Sequence, residues 1–513
     1  MSDTIPENSN GWLAPLSVAT IGVFMALLDS SIVNVAVSTI MTVFGSDPSS
    51  VQWVSTAYML ALGVAMPLSG WLGDKFGYKM LYIVSLAVFV MGSLFCSISW
   101  SLNSLIFARV LQAFGGGMVQ PTVMAMLYKL VPRKQIGSAM GIFGVAAFVA
   151  PALGPTIGGY LVEYVDWRWI FTINLPIGVV GIVLAFLVLP EFESKDPGKL
   201  DVAGAVSSAV MLFCLLLGLS KGQEWGWLDE RTVLLFVVSF FALVLFIYRE
   251  LSAEKPLLEL RVFKYLSFTM ANLILIVSMV GLYAGTFYIP LFLQSVRGLG
   301  AMETGLLMMP AALVSAILMP VTGKLYDKIG ARPLILFGVI VLAILTFTFR
   351  NLSLATATST ILLWVTLRGA VSPFTNMPAQ TAALAAVPKE LVGRASALLN
   401  IIARVSSSFG LAVLTSLLTS RRVFHQEHYA WGLTASDPAT HQALATISAA
   451  VGGGARGRIG ALAWLQGQVS RLSFVSGVQD IFIVAGIFTV LGILPALFLK
   501  PGSSGKKAPT MAK

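Results

Sequence analysis

Asp29 stands in one of the most apolar stretches of this chain. The segment LDSSIVNVAV, residues 28–37, lies in a run from about Trp12 to Val43 with no other ionisable side chain. A second apolar run, LNSLIFARVLQAFGGG (residues 102–117), carries one arginine, Arg109. A carboxylate removed from water holds its proton more tightly, and a movable guanidinium loosens it again. Such a pair can accept a proton on one side of a barrier and release it on the other. Read as helices, the runs place Asp29 roughly 25 Å along the first and Arg109 about 8 Å from the opposite end of the other. The two are therefore expected at similar depth. The plainer alternative is a structural carboxylate that caps a helix or only pairs with Arg109.

The chain that must position them has 513 residues, 57% hydrophobic and 11% charged, with a mean hydropathy of +0.86. Soluble domains carry about 25% charged residues. Apolar runs of 18 or more residues recur, each long enough to cross a hydrocarbon core of roughly 30 Å. Lipid offers the backbone no partners, so these runs are expected as helices. The reading is an all-α polytopic membrane protein with fourteen spans, near 12–43, 51–72, 79–99, 104–128, 137–162, 169–190, 202–220, 231–249, 266–294, 304–325, 332–350, 354–385, 395–418 and 476–499. MSDTIPENSN has no basic region of a removable signal, so the first run is expected to stay.

An even number of spans puts both termini on one side. That side collects about 20 Lys and Arg, against about 10 opposite, half of them in one long loop that counts for little. Both termini are expected to be cytoplasmic, in the inner membrane. Loop 419–475 is read as the largest extracytoplasmic piece, flexible and Gly-rich at 447–460, with a surface helix at 461–475 leading into the last span. His425, His428 and His441 are read as its solvated residues, and Cys96 and Cys214 as small core residues. Arg404 is read as close to a helix start and able to snorkel.

Two loops repeat a pattern. SGWLGDKFGYKML (69–81) and TGKLYDKIGARPLI (322–335) share Gly, Asp-Lys and Gly at matching spacing, and LWVTLRGAVSP (363–373) echoes the Arg109 helix with Arg368. Such internal symmetry marks repeat-built transporters.

On these residues the chain resembles the major facilitator superfamily. Gly70, Asp74, Lys75, Gly77 and Lys79, with the second copy Gly323, Asp327, Lys328 and Gly330, resemble its loop motif, and Arg109, Gln112 and Gly115 its fourth-helix motif. FGVAAFVAPALGPTIGGY (143–160), with Gly154, Pro155, Gly158 and Gly159, is similar to its fifth-helix antiporter motif. LDSSIVNVAV and DWRWIFTINLPIG (166–178) resemble signatures of its fourteen-helix drug/proton antiporters, the EmrB/QacA-like multidrug exporters.

The resemblance implies a six-helix bundle at 1–190, two additional helices and linkers at 191–265, a second pseudo-symmetric bundle at 266–500 and a cytoplasmic tail at 501–513. It implies alternating access, with the loop motifs as conformational latches, the fifth helix as a sealing interface, and Asp29 with Arg109 as the proton-coupling pair. The two added helices, poor in polar residues, suit a lipid-facing position or, alternatively, contacts within an oligomer.

Glu163, Glu303 and Asp480 fall near far-side helix ends, and no acid sits at mid-depth in the C-terminal half. Monocationic, neutral or amphipathic substrates are therefore expected over dications. Candidate cavity residues are Met25, Asn34, Tyr58, Gln112, Tyr283, Phe287, Arg368, Phe374 and Asn376, although Met and aromatic residues on apolar helices more often pack. Expected partners are small amphipathic substrates, protons and membrane lipids. A periplasmic adaptor protein stays open, and no nucleic acid, cofactor or metal is expected. Without a phosphate-cradling loop or catalytic constellation, an enzyme is not expected. The competing readings are a lipid or lipid-conjugate transporter of the same fold and a non-transporting membrane sensor or scaffold.

Overall fold

The computed structural model describes residues 10–192, 194, 198–431, 438–450 and 452–499, so the tail lies outside the described residues. The N-terminal bundle consists of α1 (Leu13–Phe44), α2 (Trp53–Ala65, continued by Leu68–Phe76 after a 53° bend), α3 (Tyr78–Ser97), α4 (Leu102–Leu130), α5 (Ile136–Tyr164) and α6 (Asn174–Val188). Two further helices follow, α7 (Val202–Trp225) and α8 (Glu230–Ser252). The C-terminal part holds α9 (Leu266–Ser295), α10 (Ala301–Ile329), α11 (Ala331–Thr348), α12 (Thr358–Ala385), α13 (Val392–Trp431), α14 (Pro438–Ala450) and α15 (Gly454–Leu491). Among the described residues, twelve helices are long and apolar enough to cross a membrane, thirteen if the bent α2 is one span. The fourteenth expected span, α12, is equally long but more polar, carrying Arg368, Asn376 and two prolines.

Local chemistry sets the boundaries. Asp47 caps the short helix before α2 by accepting from Ser50 N, and Ser101 forms a capping box with Ser104 at the start of α4. The two repeated loops turn on glycines with positive φ, 82° at Gly77 and 81° at Gly330. Each sits between two helices with no room for a longer connection, so the repeat in sequence is a repeat in backbone.

The apolar core is divided unevenly. At the face where the described chain begins and ends, the terminal face, one cluster spans both bundles, from Trp12, Tyr78 and Met124 to Met319, Leu384 and Leu398. Toward the opposite, far face the clusters separate. One holds Ile32, Val54, Leu105 and Phe171 of the N-terminal bundle; another holds Ala284, Phe292, Phe349 and Phe482 of the C-terminal bundle. The bundles are thus sealed together at the terminal face and cored independently at the far face. The pair α5–α10 packs along its length, whereas the outer part of α2 does not pack along α13.

Two expectations are corrected. The added helices are not alike: half of α7's apolar window is buried against 17% for α8. α7 fills the gap between α2 and α13, with Leu216 and Leu217 against Leu60. At its far end Lys221 Nζ donates to Gln52 Oε1 of the α2 lead-in at 2.9 Å, and Gln223 Nε2 to Thr419 Oγ1 of α13 at 3.1 Å. Only α8 has the expected lipid-facing character.

The stretch 419–475 is mostly helical rather than a loop. α13 runs 40 residues, roughly 60 Å, and α15 starts at Gly454, so both continue well past a hydrocarbon core of roughly 30 Å. His425, read as a solvated loop residue, lies on α13 with its Nε2 2.8 Å from Asp480 Oδ2.

Candidate functional site

Asp29, Arg109 and their neighbours form one enclosed network among α1, α3, α4 and α6. Asp29 is 0% exposed and Arg109 1%. Arg109 Nη1 lies 2.5 Å from Asp29 Oδ2 and donates to Gln112 Oε1, also at 2.5 Å. Asp29 Oδ1 accepts from Gln112 Nε2 and from Asn174 Nδ2, each at 2.8 Å. Gln112 Nε2 also reaches Ser93 Oγ at 2.7 Å. The guanidinium lies 3.7 Å over the Tyr58 ring, and its Nε points at Val54 O. Both carboxylate oxygens and the cation are satisfied, the condition under which a buried ion pair is tolerated. Asn174 escaped the sequence reading although it stands in the quoted segment DWRWIFTINLPIG. Its amide is functionally silent until the fold brings α6 against α1.

Two residues beyond Asp29, α1 meets α5. Pro155 has no N–H for the carbonyl of Pro151, four residues earlier. Ser31 Oγ donates to that orphaned carbonyl at 3.2 Å. A Cβ on Gly154 would overlap Ser31 Oγ, and one on Gly158 would come within 2.8 Å of Ile32. Gly159 is roomier, 3.8 Å from Met302 of α10. Gly154 and Gly158 thus seat α1 on α5 beside the ion pair, while Pro155 and Gly159 face α10.

Each repeated loop reaches across to the other bundle. Asp74 pairs with Arg394 of α13 at 3.7 Å and accepts from Tyr78 OH at 2.9 Å. Gly70 lets the Arg394 backbone approach, with Arg394 Cα 3.2 Å from where a Cβ would stand. Asp327 instead accepts from Gly137 N and Ser138 N, at 2.8 and 2.9 Å, at the start of α5. A carboxylate there also meets the positive end of the helix dipole. Gly323 packs directly on the Gly137 backbone. The lysines lie outside this contact: Lys75 lies over Trp71, Lys79 pairs with Glu191 at 3.0 Å, and Lys328 ends α10.

The cavity candidates scatter. Tyr58 and Gln112 belong to the network. Met25 is fully buried at Gly178 of α6, and Phe374 stacks edge-on with Phe337 of α11. Asn34 and Phe287 are exposed, Tyr283 is partly buried, and Asn376 Nδ2 turns back to Ser372 of its own helix. Arg368 is buried and donates to Gly281 O of α9.

Residues 19–411 match the family model of the Major Facilitator Superfamily. The chain belongs to this superfamily. It is 33% identical over 499 residues to the MFS-type transporter YhcA of Bacillus subtilis (strain 168), covering 96% of this chain and 94% of that one. It is 30% identical to the tetracenomycin C resistance and export protein of Streptomyces glaucescens, over 97% of this chain and 93% of the relative. The solved structure of the proton:xylose symporter XylE shares the fold, with a TM-score of 0.61 at 13% identity over 97% of this chain and 98% of that chain. The protein is therefore a multi-pass membrane transporter of the major facilitator fold, not an enzyme.

In this superfamily member the Asp74–Arg394 contact bridges the two bundles at the terminal face. Arg394→Gln removes the cation of this 3.7 Å ion pair, a pair worth about 1 kcal/mol, and is expected to shift a two-state balance toward the open terminal face about fivefold. A cysteine introduced by Asn400→Cys, buried between α13 and Met124, is expected to label faster from the terminal face in that background. Unchanged labelling would show that the pair does not bear on the closed state.

Proposed function

We propose that this protein is a proton-coupled exporter of small amphipathic compounds, a drug/proton antiporter of the cytoplasmic membrane working by alternating access. The observation that carries the reading is the enclosed carboxylate: Asp29 is compensated by Arg109, Gln112 and Asn174 and lies two residues from the α1–α5 contact. Protonating Asp29 would remove the anion that holds Arg109, and the strain falls on helices that must shift for access to alternate. The terminal face is assigned to the cytoplasm by its excess of Lys and Arg, and the bundles, joined there and cored separately opposite, correspond to a state closed to the cytoplasm. Export names among the relatives support the direction of transport.

In proteoliposomes an imposed proton gradient is expected to drive uphill accumulation of an amphipathic dye, with proton movement in the opposite direction. Accumulation that ignores the gradient, with protonophore making no difference, would reject the coupling.

A further inference from the structure

The N-terminal bundle neutralises its buried arginine; the C-terminal bundle does not. Arg368 of α12 is 8% exposed, its acceptor is the Gly281 carbonyl, and its Nε has no partner. Its guanidinium occupies the space that a Cβ on Gly285 of α9 would fill, so that glycine makes the room. Arg404 of α13 is partly buried, and its Nε is likewise unpartnered. It stands one turn beyond Asn400, whose Nδ2 reaches Met124 Sδ of the other bundle at 3.4 Å, and lies within electrostatic reach of Tyr58 across the interface. Twelve residues into its helix, Arg404 is roughly 18 Å from Val392, too deep for the snorkelling expected from the sequence.

No acid of the described C-terminal bundle answers these charges. Asp29 lies sixteen residues past Leu13, and the same step from Leu266 on α9 reaches Leu282. Asp327 is taken up by the start of α5, Glu303 by Gly300 N, and Asp480 by Arg421 and His425. An arginine at membrane depth without a counter-ion is costly and marks a functional position. Guanidinium is the side chain best shaped to grip a carboxylate or related oxyanion.

We propose that the transported compound carries an anionic group, a carboxylate or sulfonate on an amphipathic body, which pairs with Arg404 and Arg368 while Asp29 handles the proton. This rests on the exporter reading above and narrows its substrate class, away from the cations that the sequence suggested. Exchange of one monoanion outward for one proton inward moves two charges through the membrane field, whereas a monocation exchanged for a proton moves none. A potential negative inside therefore accelerates export of the anion.

The test compares two dyes on one xanthene scaffold, anionic fluorescein and cationic rhodamine 6G, binding to the full-length protein in phosphatidylcholine nanodiscs by fluorescence anisotropy. Fluorescein is expected to bind at least about tenfold tighter than rhodamine 6G. Arg404→Gln and Arg368→Gln should each weaken it by about tenfold or more, with Arg404→Lys recovering part of the loss. Thermal unfolding of each variant separates lost binding from lost fold, and Arg404→Lys keeps the charge if a Gln variant fails to fold. Preference for rhodamine 6G, no fluorescein binding, or binding unchanged in both Gln variants would overturn the proposal. Displacement of fluorescein by added phosphatidylglycerol would assign the arginines to a lipid headgroup and overturn it too. If the binding preference holds but neither dye is moved by a proton gradient, the exporter reading fails and the anion site stands.

Discussion

Asp29→Asn is expected to abolish gradient-driven export while leaving downhill exchange of substrate measurable. Asparagine keeps the shape of the carboxyl and mimics its protonated form, so the step in which a proton leaves cannot occur. The proton's contribution, about 2.3 kcal/mol per charge at 100 mV, is then lost, which lowers the attainable substrate gradient by about fiftyfold. The substitution also leaves Arg109 buried without its anion, and breaking a buried pair costs about 3–5 kcal/mol. A drop in thermal stability is therefore expected alongside. Asp29→Glu separates the two effects: it restores a titratable group one methylene longer, and some proton dependence should return even where the rate does not. The measurement is dye accumulation in proteoliposomes against imposed pH gradients, with exchange at zero gradient as the control for folding. Full proton dependence in Asp29→Asn would remove Asp29 from the coupling role and direct attention to other titratable groups.

Gly154→Val should slow transport at least about tenfold for a different reason. Gly154 faces Ser31 so closely that a Cβ has no space, and the neighbour in question is a side chain hydrogen-bonded to the Pro151 carbonyl. A valine must either break that bond or push α1 from α5, and overpacking of this kind costs about 1–3 kcal/mol. Because Asp29 lies only two residues away on α1, the displacement reaches the ion pair. Gly159→Ala is the internal comparison, since a Cβ there meets only Met302 at 3.8 Å and should be nearly silent. Equal loss in the two variants would mean that close packing at Gly154 is not what matters. Transport rate and thermal stability measured together distinguish a seized interface from a misfolded one.

Much of this site was legible because the membrane simplifies the problem. A lipid environment forces apolar runs into helices, and the fixed rise per residue then converts position in sequence into depth. That arithmetic was enough to bring Asp29 and Arg109 to the same level from runs separated by 80 residues. The repeated loops were legible for a similar reason. A helix that must stop at a membrane face and turn at once needs glycine at the turn, and Gly77 and Gly330 adopt nearly the same φ.

What the tertiary structure alone decided is which way each helix faces. In water a helix declares its buried side by an apolar stripe, but a membrane helix is apolar all round, and its periodicity does not separate lipid from protein. For that reason α7 and α8 read alike in sequence, yet one wedges between α2 and α13 and the other stays largely exposed. Asn174 joined the carboxylate only through the packing of α6, and Met25 and Phe374 turned out to face neighbouring helices. The sequence by itself determined the helices, the repeated glycine turns and the Asp29–Arg109 pairing, because lipid leaves the backbone one solution. Helix rotation was decided by packing, through small residues, single hydrogen bonds and proline-freed carbonyls, and that rotation left Arg368 and Arg404 without a counter-ion among the described residues.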